Sequence, residues 1–278
     1  MPMNNNNERL RLPIAYLTSF VLSILLTVLV ALFVFKQTFF TQQAVFKAFD
    51  QSSYVNIARE SLIENSKEII IQYGVDESII DDLYNPIQFE EDLKGSLQSI
   101  WTKQVYQIDS SILDTEIKAR LNQFLVNQGL TITTEVQVGI DEASQLIIDE
   151  YQKKSTIPLL SAYRSIMVTY EKYLNYSELI LGVLLIGLTY FLYRLLSKSK
   201  VSLFIGYALA TSSWLMFLLA LYFRVDGFYT RIQIRPEYIN KLLVILGSNT
   251  LNLFIYLSLG GIGLSLFLFY MAYHKDKS

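Results

Sequence analysis

Four long apolar stretches dominate the pattern of hydrophobic and polar positions along the chain. A helix needs about 20 apolar residues to cross the ~30 Å hydrocarbon core of a bilayer, and each stretch reaches that length. The predicted spans are residues 13–35, 177–196, 201–223 and 251–273, of which the first, third and fourth carry no charge. The pattern therefore predicts an integral membrane protein with four transmembrane helices.

The basic residues near the span ends predict the orientation in the membrane. Seven Lys and Arg residues lie on the side that holds both termini, and four lie in the loop between the third and fourth spans. Because cytoplasmic flanks carry the excess of Lys and Arg, we expect both termini in the cytoplasm of a plasma-membrane protein. The seven are Arg9, Arg11, Arg194, Lys198, Lys200, Lys275 and Lys277.

Alternation across the membrane assigns the remaining segments. Residues 36–176 become a large extracytoplasmic domain with 12 basic and 20 acidic residues, and 224–250 becomes a second outer loop. The tails 1–12 and 274–278 and the loop 197–200 are expected in the cytoplasm. The first span is interpreted as an uncleaved signal anchor, because its apolar run exceeds that of a signal peptide.

The large domain shows mostly helical spacing. Apolar residues recur at helical intervals over 41–72, 86–106 and 110–127, and again from 141 towards the second span. Residues 130–138 alternate apolar and polar and are compatible with a lone strand. The expected fold is an all-α membrane protein, with a helical extracytoplasmic domain inserted between the first and second spans.

The composition removes most catalytic chemistry. The chain has no cysteine and one histidine, His274, which lies in the predicted cytoplasmic tail. Four clusters of carboxylates are interpreted as solvated helix faces, because catalysis needs such groups held in a shaped pocket. We therefore expect no enzyme, no catalytic or metal-binding residues and no cofactor. The clusters are Glu64/Glu68, Asp81-Asp82, Glu90-Glu91-Asp92 and Asp149-Glu150.

Small residues form stripes along three predicted spans, where they allow close approach of helices. They predict packing among the spans or against another membrane protein. The stripe residues are Ser19, Ser23, Thr27 and Ala31 in the first span, Gly206 and Ala210 in the third, and Ser258, Gly261 and Ser265 in the fourth.

Two further features bear on binding. The second outer loop is basic beside an acidic domain, so we hypothesise that Arg231 and Arg235 dock it electrostatically. The large domain is rich in aromatic residues, which either fill a helical core or bind a partner or a sugar ring. These aromatic residues include Tyr54, Tyr84, Phe89, Trp101, Tyr106 and Tyr151.

The order of one span, a large outer domain and three further spans resembles the permease subunits of ATP-driven cell-division and macrolide-export machines. Those families contact their ATPase through cytoplasmic segments, whereas the loop Ser197–Lys200 is too short for a coupling helix. The Asn-, Ile-, Lys- and Tyr-rich, cysteine-free composition also resembles uncharacterised four-span membrane proteins of low-GC Gram-positive bacteria.

These features predict a non-enzymatic, multi-pass accessory or regulatory subunit whose outer domain binds a protein partner or an envelope component. Two alternatives stay open. One is a small-ligand sensor that relays through the spans to a partner, and the other is a diverged permease subunit of an ATP-driven transporter. A membrane-protein partner or a second copy of the chain is expected, and no nucleic acid.

Overall fold

The structure is a computed structural model that describes residues 5–102, 104–158, 160–231 and 234–275. The described residues form helices joined by short connections, with no β-strand among them. In chain order the helices are α1 (Asn5–Phe39), α2 (Gln42–Gln51), α3 (Tyr54–Gln72), a 3-10 helix (Glu77–Ile80), α4 (Pro86–Thr102), α5 (Ser111–Asn127), α6 (Thr134–Ser155), α7 (Leu160–Leu195), α8 (Lys198–Asp226), α9 (Phe228–Arg231) and α10 (Glu237–Lys275).

Helices α1, α7, α8 and α10 are long and apolar enough to cross a membrane, which confirms the prediction of four such helices. Three of them extend well beyond a bilayer core. Helix α1 has 35 residues, α7 has 36 and α10 has 39, so at 1.5 Å per residue each is more than about 50 Å long. In the predicted tails, residues 1–4 and 276–278 lie outside the described residues.

The chain divides into two compact units. The first, which we name the apolar unit, comprises Met1–Ala48, Val168–Ile234 and Leu243–Ser278. The second, the polar unit, comprises Phe49–Met167 and Arg235–Leu242. The polar unit is therefore discontinuous. Its second part, which includes the start of α10, begins 68 positions after Met167, where its first part ends.

Regular stripes of buried residues on α3 and α6 build the core of the polar unit. Helix α3 buries a residue every four positions, which places them on one face, and α6 does the same over its length. The buried residues of α3 are Tyr54, Ala58, Leu62, Ser66 and Ile70. Those of α6 are Ile140, Ala143, Ser144, Ile147, Ile148, Tyr151 and Ser155.

The structure interrupts two of the predicted helices. The helix expected over 41–72 breaks between α2 and α3, where Ser53 adopts a left-handed conformation with φ of 54°. The helix expected to run from 141 into the second span ends at Ser155, and α7 begins at Leu160. Pro158 thus lies in a break between two helices and does not kink a continuous one.

The alternating stretch 130–138 forms no strand. The Thr133 side chain accepts a hydrogen bond from the Val136 backbone N–H and caps the first turn of α6. Such a cap satisfies a backbone donor that has no partner inside the helix. Glu135 in that first turn also interacts favourably with the helix dipole. The local helix signals therefore override the short alternation.

The predicted second outer loop is mostly helical. Helix α10 begins directly after Pro236 and continues through the fourth apolar stretch, so the end of the predicted loop and the fourth span share one helix. At its start Tyr238 is buried in the polar unit, where its ring packs edge-on against Tyr54 at 4.8 Å. Lys154 of α6 lies over the same ring at 5.9 Å.

Candidate functional site: a cleft in the polar unit

An open cleft of about 370 Å³ lies in the polar unit. Its size is within the range of small-molecule sites. Four separate segments contribute its walls, namely the stretch before α4, α4 itself, α5 with the residues before it, and α6. The lining residues are Leu83, Tyr84, Asn85, Gln88, Asp109, Ile112, Leu113, Glu116 and Tyr151.

Two polar residues of the cleft sit at helix starts. The Asn85 side chain accepts a hydrogen bond of 2.9 Å from the Ile87 backbone N–H at the start of α4. Asp109 accepts hydrogen bonds from both the backbone N–H (3.0 Å) and the hydroxyl (2.6 Å) of Ser111 at the start of α5. Helix capping thus fixes the Asn85 side chain, and the two bonds from Ser111 fix the Asp109 side chain at the cleft.

Two buried tyrosines form the aromatic part of the cleft. The rings of Tyr84 and Tyr151 are nearly parallel, with centroids 5.9 Å apart. The Tyr84 hydroxyl lies 2.5 Å from the Ser66 hydroxyl of α3, and burial raises the pKa of Tyr84 above its ordinary value. Both rings are therefore held from behind by the core and are fixed parts of the site.

A buried carboxylate lies directly behind this wall. Asp92 of α4 is only 2% exposed, so its interpretation as part of a solvated cluster was wrong. It accepts hydrogen bonds from the hydroxyls of Tyr151 (2.5 Å) and Tyr106 (2.9 Å) and a longer one of 3.3 Å from the Gln88 amide. Asp92 thereby orients two residues of the cleft, Gln88 and Tyr151.

Gly95 leaves room for the second of these tyrosines. A Cβ atom at Gly95 would collide with the Tyr106 ring, and Gly95 lies one turn from Asp92 on the same face of α4. Partial burial and the nearby Asp92 carboxylate raise the pKa of Tyr106 to about 12. Tyr106 is thus a neutral donor to Asp92 at physiological pH.

The mouth of the cleft carries acceptors. Glu116 forms an ion pair of 2.6 Å with Arg120, whose guanidinium also donates to the carbonyls of Ile79 and Asp81. One oxygen of each cleft carboxylate, Oδ2 of Asp109 and Oε2 of Glu116, has no hydrogen-bond partner among the described residues. Neither Lys nor Arg lines the described cleft.

The small residues singled out in the first and third apolar helices meet within the apolar unit. Ser19 is buried and donates to the Phe204 carbonyl at 2.7 Å. Thr27 donates to the Ser212 hydroxyl at 3.0 Å. Ser23 is buried and bonds to its own helix, and Ala31 and Ala210 are half-buried. This stripe therefore forms part of the packing of α1 against α8.

Two glycines of the remaining small residues lie between α8 and α10. A Cβ atom at Gly206 would lie 2.7 Å from the Phe269 ring, and one at Gly261 would collide with Ser213. Ser258 and Ser265 of α10 are buried, and the Ser258 hydroxyl has no hydrogen-bond partner in the described chain. These glycines allow the two helices to approach closely.

The two arginines of the docking hypothesis lie in different units. Arg231, in the apolar unit, forms an ion pair of 3.1 Å with Asp226 and also donates to its carbonyl. Arg235 belongs to the polar unit and is exposed. The segment that follows it is held by Tyr238, as described above, and the electrostatic docking itself stays a hypothesis.

An ion pair inside the apolar unit escaped the sequence reasoning. Lys36 at the end of α1 donates to the carboxylate of Glu178 at 2.8 Å and to the Asn175 amide oxygen at 2.6 Å. Glu178 lies at the start of the predicted second span, and Arg194 lies near the other end of that span. Its position next to an apolar run is the signal that identifies it, because an ionised group there needs a partner.

The chain matches no protein-family model, no curated protein and no solved structure. Its chemistry must therefore be argued from the residues. The described part of the chain has no cluster of three or more His, Asp or Glu side chains suited to a metal ion. What the cleft offers is a fixed aromatic wall, two carboxamides and two carboxylates, which are groups that bind and orient a ligand.

Proposed function

We propose that the chain is an integral membrane protein whose polar unit lies outside the cytoplasm and binds a protein partner or an envelope component, in the role of an accessory or regulatory subunit. The observation that carries the proposal is the open cleft of the polar unit. Its lining side chains are fixed by caps and by Asp92, which is typical of preformed binding sites. The four membrane-length helices support the anchoring.

The apolar unit supports a partner within the membrane. Along α7 and α10 many large apolar side chains are exposed, among them Ile186 and Leu266. A Cβ atom at Gly182 or Gly260 would meet no atom within 4 Å. Lipid or another apolar helix covers such faces, and small residues on them favour close helix contact.

A sensor is the second candidate, and one observation favours it. Helices α2, α7 and α10 each contribute residues to both units. A ligand that displaces the polar-unit ends of these helices therefore acts on continuous backbone that runs into the apolar unit. In this function the output belongs to a membrane partner.

Copurification from native membranes in mild detergent tests the accessory role. We expect a stoichiometric membrane protein to accompany the tagged chain. A chain that purifies alone, or only with copies of itself, contradicts that role. A complex that depends on nucleotide would instead favour the permease subunit.

Cysteine labelling tests the orientation, because the chain has no native cysteine. Gln128 and Ser197 are exposed and lie at opposite ends of the proposed topology. In intact cells we expect a membrane-impermeant maleimide to label Gln128→Cys and not Ser197→Cys. Both must react after permeabilisation, and the reverse pattern in intact cells contradicts the orientation.

A further inference from the structure

We infer that the cleft of the polar unit takes an organic cation, a ligand with an ammonium or guanidinium group on an apolar body. The inference rests on the proposed binding function and names the ligand class of that site. It follows from the shape of the cleft, from the hydrogen-bonding capacity of its polar groups and from the charge around it.

The polar groups of the cleft call for a ligand that donates hydrogen bonds. An ionised carboxylate accepts hydrogen bonds and has none to donate. Asp109 and Glu116 each have one oxygen without a partner among the described residues. Gln88 uses one amide N–H towards Asp92, and its carbonyl oxygen is a further acceptor for a ligand. Ammonium and guanidinium groups are donors without an acceptor and complement this set.

The charge of the unit favours a cation over an anion. The polar unit holds 20 acidic and 11 basic residues, and the described lining of the cleft has two carboxylates and neither Lys nor Arg. A cleft lined by one sign of charge raises the local concentration of the opposite ion. An anionic ligand would face both carboxylates, and the Arg120 guanidinium beside the mouth is already paired with Glu116.

The remaining walls require an apolar body on the ligand. Leu83, Ile112 and Leu113 line the cleft with the two fixed tyrosines. Ile112 is 79% exposed, so a ligand that covers it gains hydrophobic burial. A bare metal cation would use only the carboxylates and leave these surfaces wet.

Three probes that share one ring and differ in charge test the ligand class on the full-length protein in detergent. Benzylamine is the cation, benzyl alcohol the neutral analogue and benzoate the anion. Isothermal titration should show saturable binding of benzylamine, at least tenfold tighter than that of either analogue. Added salt should weaken it, because the carboxylates at the mouth are solvent-exposed.

Variants locate the binding. The double variant Asp109→Asn, Glu116→Gln keeps side-chain oxygens that accept the bonds from Ser111 and Arg120, and it should weaken benzylamine binding by roughly threefold to tenfold. Glu142→Gln, an exposed position on α6 outside the cleft, is the matched control and should leave the affinity unchanged. Equal loss in both variants would overturn the assignment to the cleft.

A further experiment distinguishes a free amine from a basic side chain of a polypeptide as the source of the cation. N-acetyl-Leu-Arg-Leu-amide carries the same charge on a peptide, and tighter binding of this peptide than of benzylamine would assign the site to a basic polypeptide side chain. Weaker binding of the peptide would assign it to a free amine. Equal affinities for benzylamine and benzyl alcohol, or no binding of any probe, would overturn the inference. A stoichiometric partner in the copurification would leave the proposed function standing in either case.

Discussion

Removal of the Asp92 carboxylate should destabilise the polar unit strongly. In Asp92→Ala the buried Tyr151 hydroxyl loses a hydrogen bond of 2.5 Å and is left without a partner, which costs about 2 kcal/mol. Tyr106 is 39% exposed, so water can reach its hydroxyl. Loss of its hydrogen bond to Asp92 therefore costs about 1 kcal/mol. The exposed Gln88 amide adds little. We expect the free energy of unfolding to fall by about 3 kcal/mol.

The two tryptophans of the chain provide the assay. Trp101 lies in α4 of the polar unit and Trp214 lies in α8 of the apolar unit. In a Trp214→Phe background, Trp101 fluorescence during urea denaturation in detergent reports on the polar unit alone. The change in midpoint, at an unchanged dependence on urea, then gives the loss of stability.

Two tyrosine variants distinguish the loss of the hydrogen bond to Asp92 from the loss of a buried hydroxyl group as such. Tyr151→Phe should cost about 2 kcal/mol. Tyr54→Phe is the matched control, because the buried Tyr54 hydroxyl has no hydrogen-bond partner among the described residues, and it should cost nothing. The double variant Asp92→Ala, Tyr151→Phe should lose less stability than the sum of the two single variants, because the buried Tyr151 hydroxyl that Asp92→Ala leaves without a partner is then absent. A loss below about 0.5 kcal/mol in Asp92→Ala, or full additivity of the two changes, would refute the reasoning.

Two further predictions concern other contacts. Gly206→Ala should lower the stability of the apolar unit by about 1–3 kcal/mol, because its Cβ would lie 2.7 Å from the Phe269 ring. The control Gly263→Ala, with nothing within 4 Å, should leave the thermal midpoint in detergent unchanged, and equal shifts would contradict the packing. Hydrogen bonding by Ser144 lowers the pKa of Asp114, so Asp114 stabilises the fold above its ordinary pKa near 4. This stability is lost as the pH falls below that value, and Asp114→Asn should flatten the loss; identical pH profiles of unfolding would exclude this role.

The membrane helices were predictable from the sequence because their signal is local. An apolar run of about 20 residues with few or no charges has few explanations other than a span, and each of the four runs lies in a long helix. Breaks were harder to place. Ser53 adopts its left-handed conformation without a glycine to mark it, and the alternation over 130–138 is too short to outweigh a helix cap.

The candidate site was not predictable in the same way. Its lining comes from four segments that only the packing of α3 to α6 brings together. One signal was available in Asp92, which lies on the same helical face as the buried residues Phe89 and Ser96. Its position on that stripe distinguishes it from the exposed Glu91, although the two are adjacent in one acidic run.

The polar unit is built from two separate parts of the chain, so its last part is synthesised well after its first. Tyr238 completes the environment of Tyr54, yet Leu242, the last residue of the unit, is made 75 positions after Met167. At about 5–20 residues per second the ribosome needs roughly 4 to 15 s for that interval, during which α7 and α8 are synthesised. In the nascent polar unit the surface around Tyr54 therefore stays exposed during this interval. A chaperone that acts during translation could bind there.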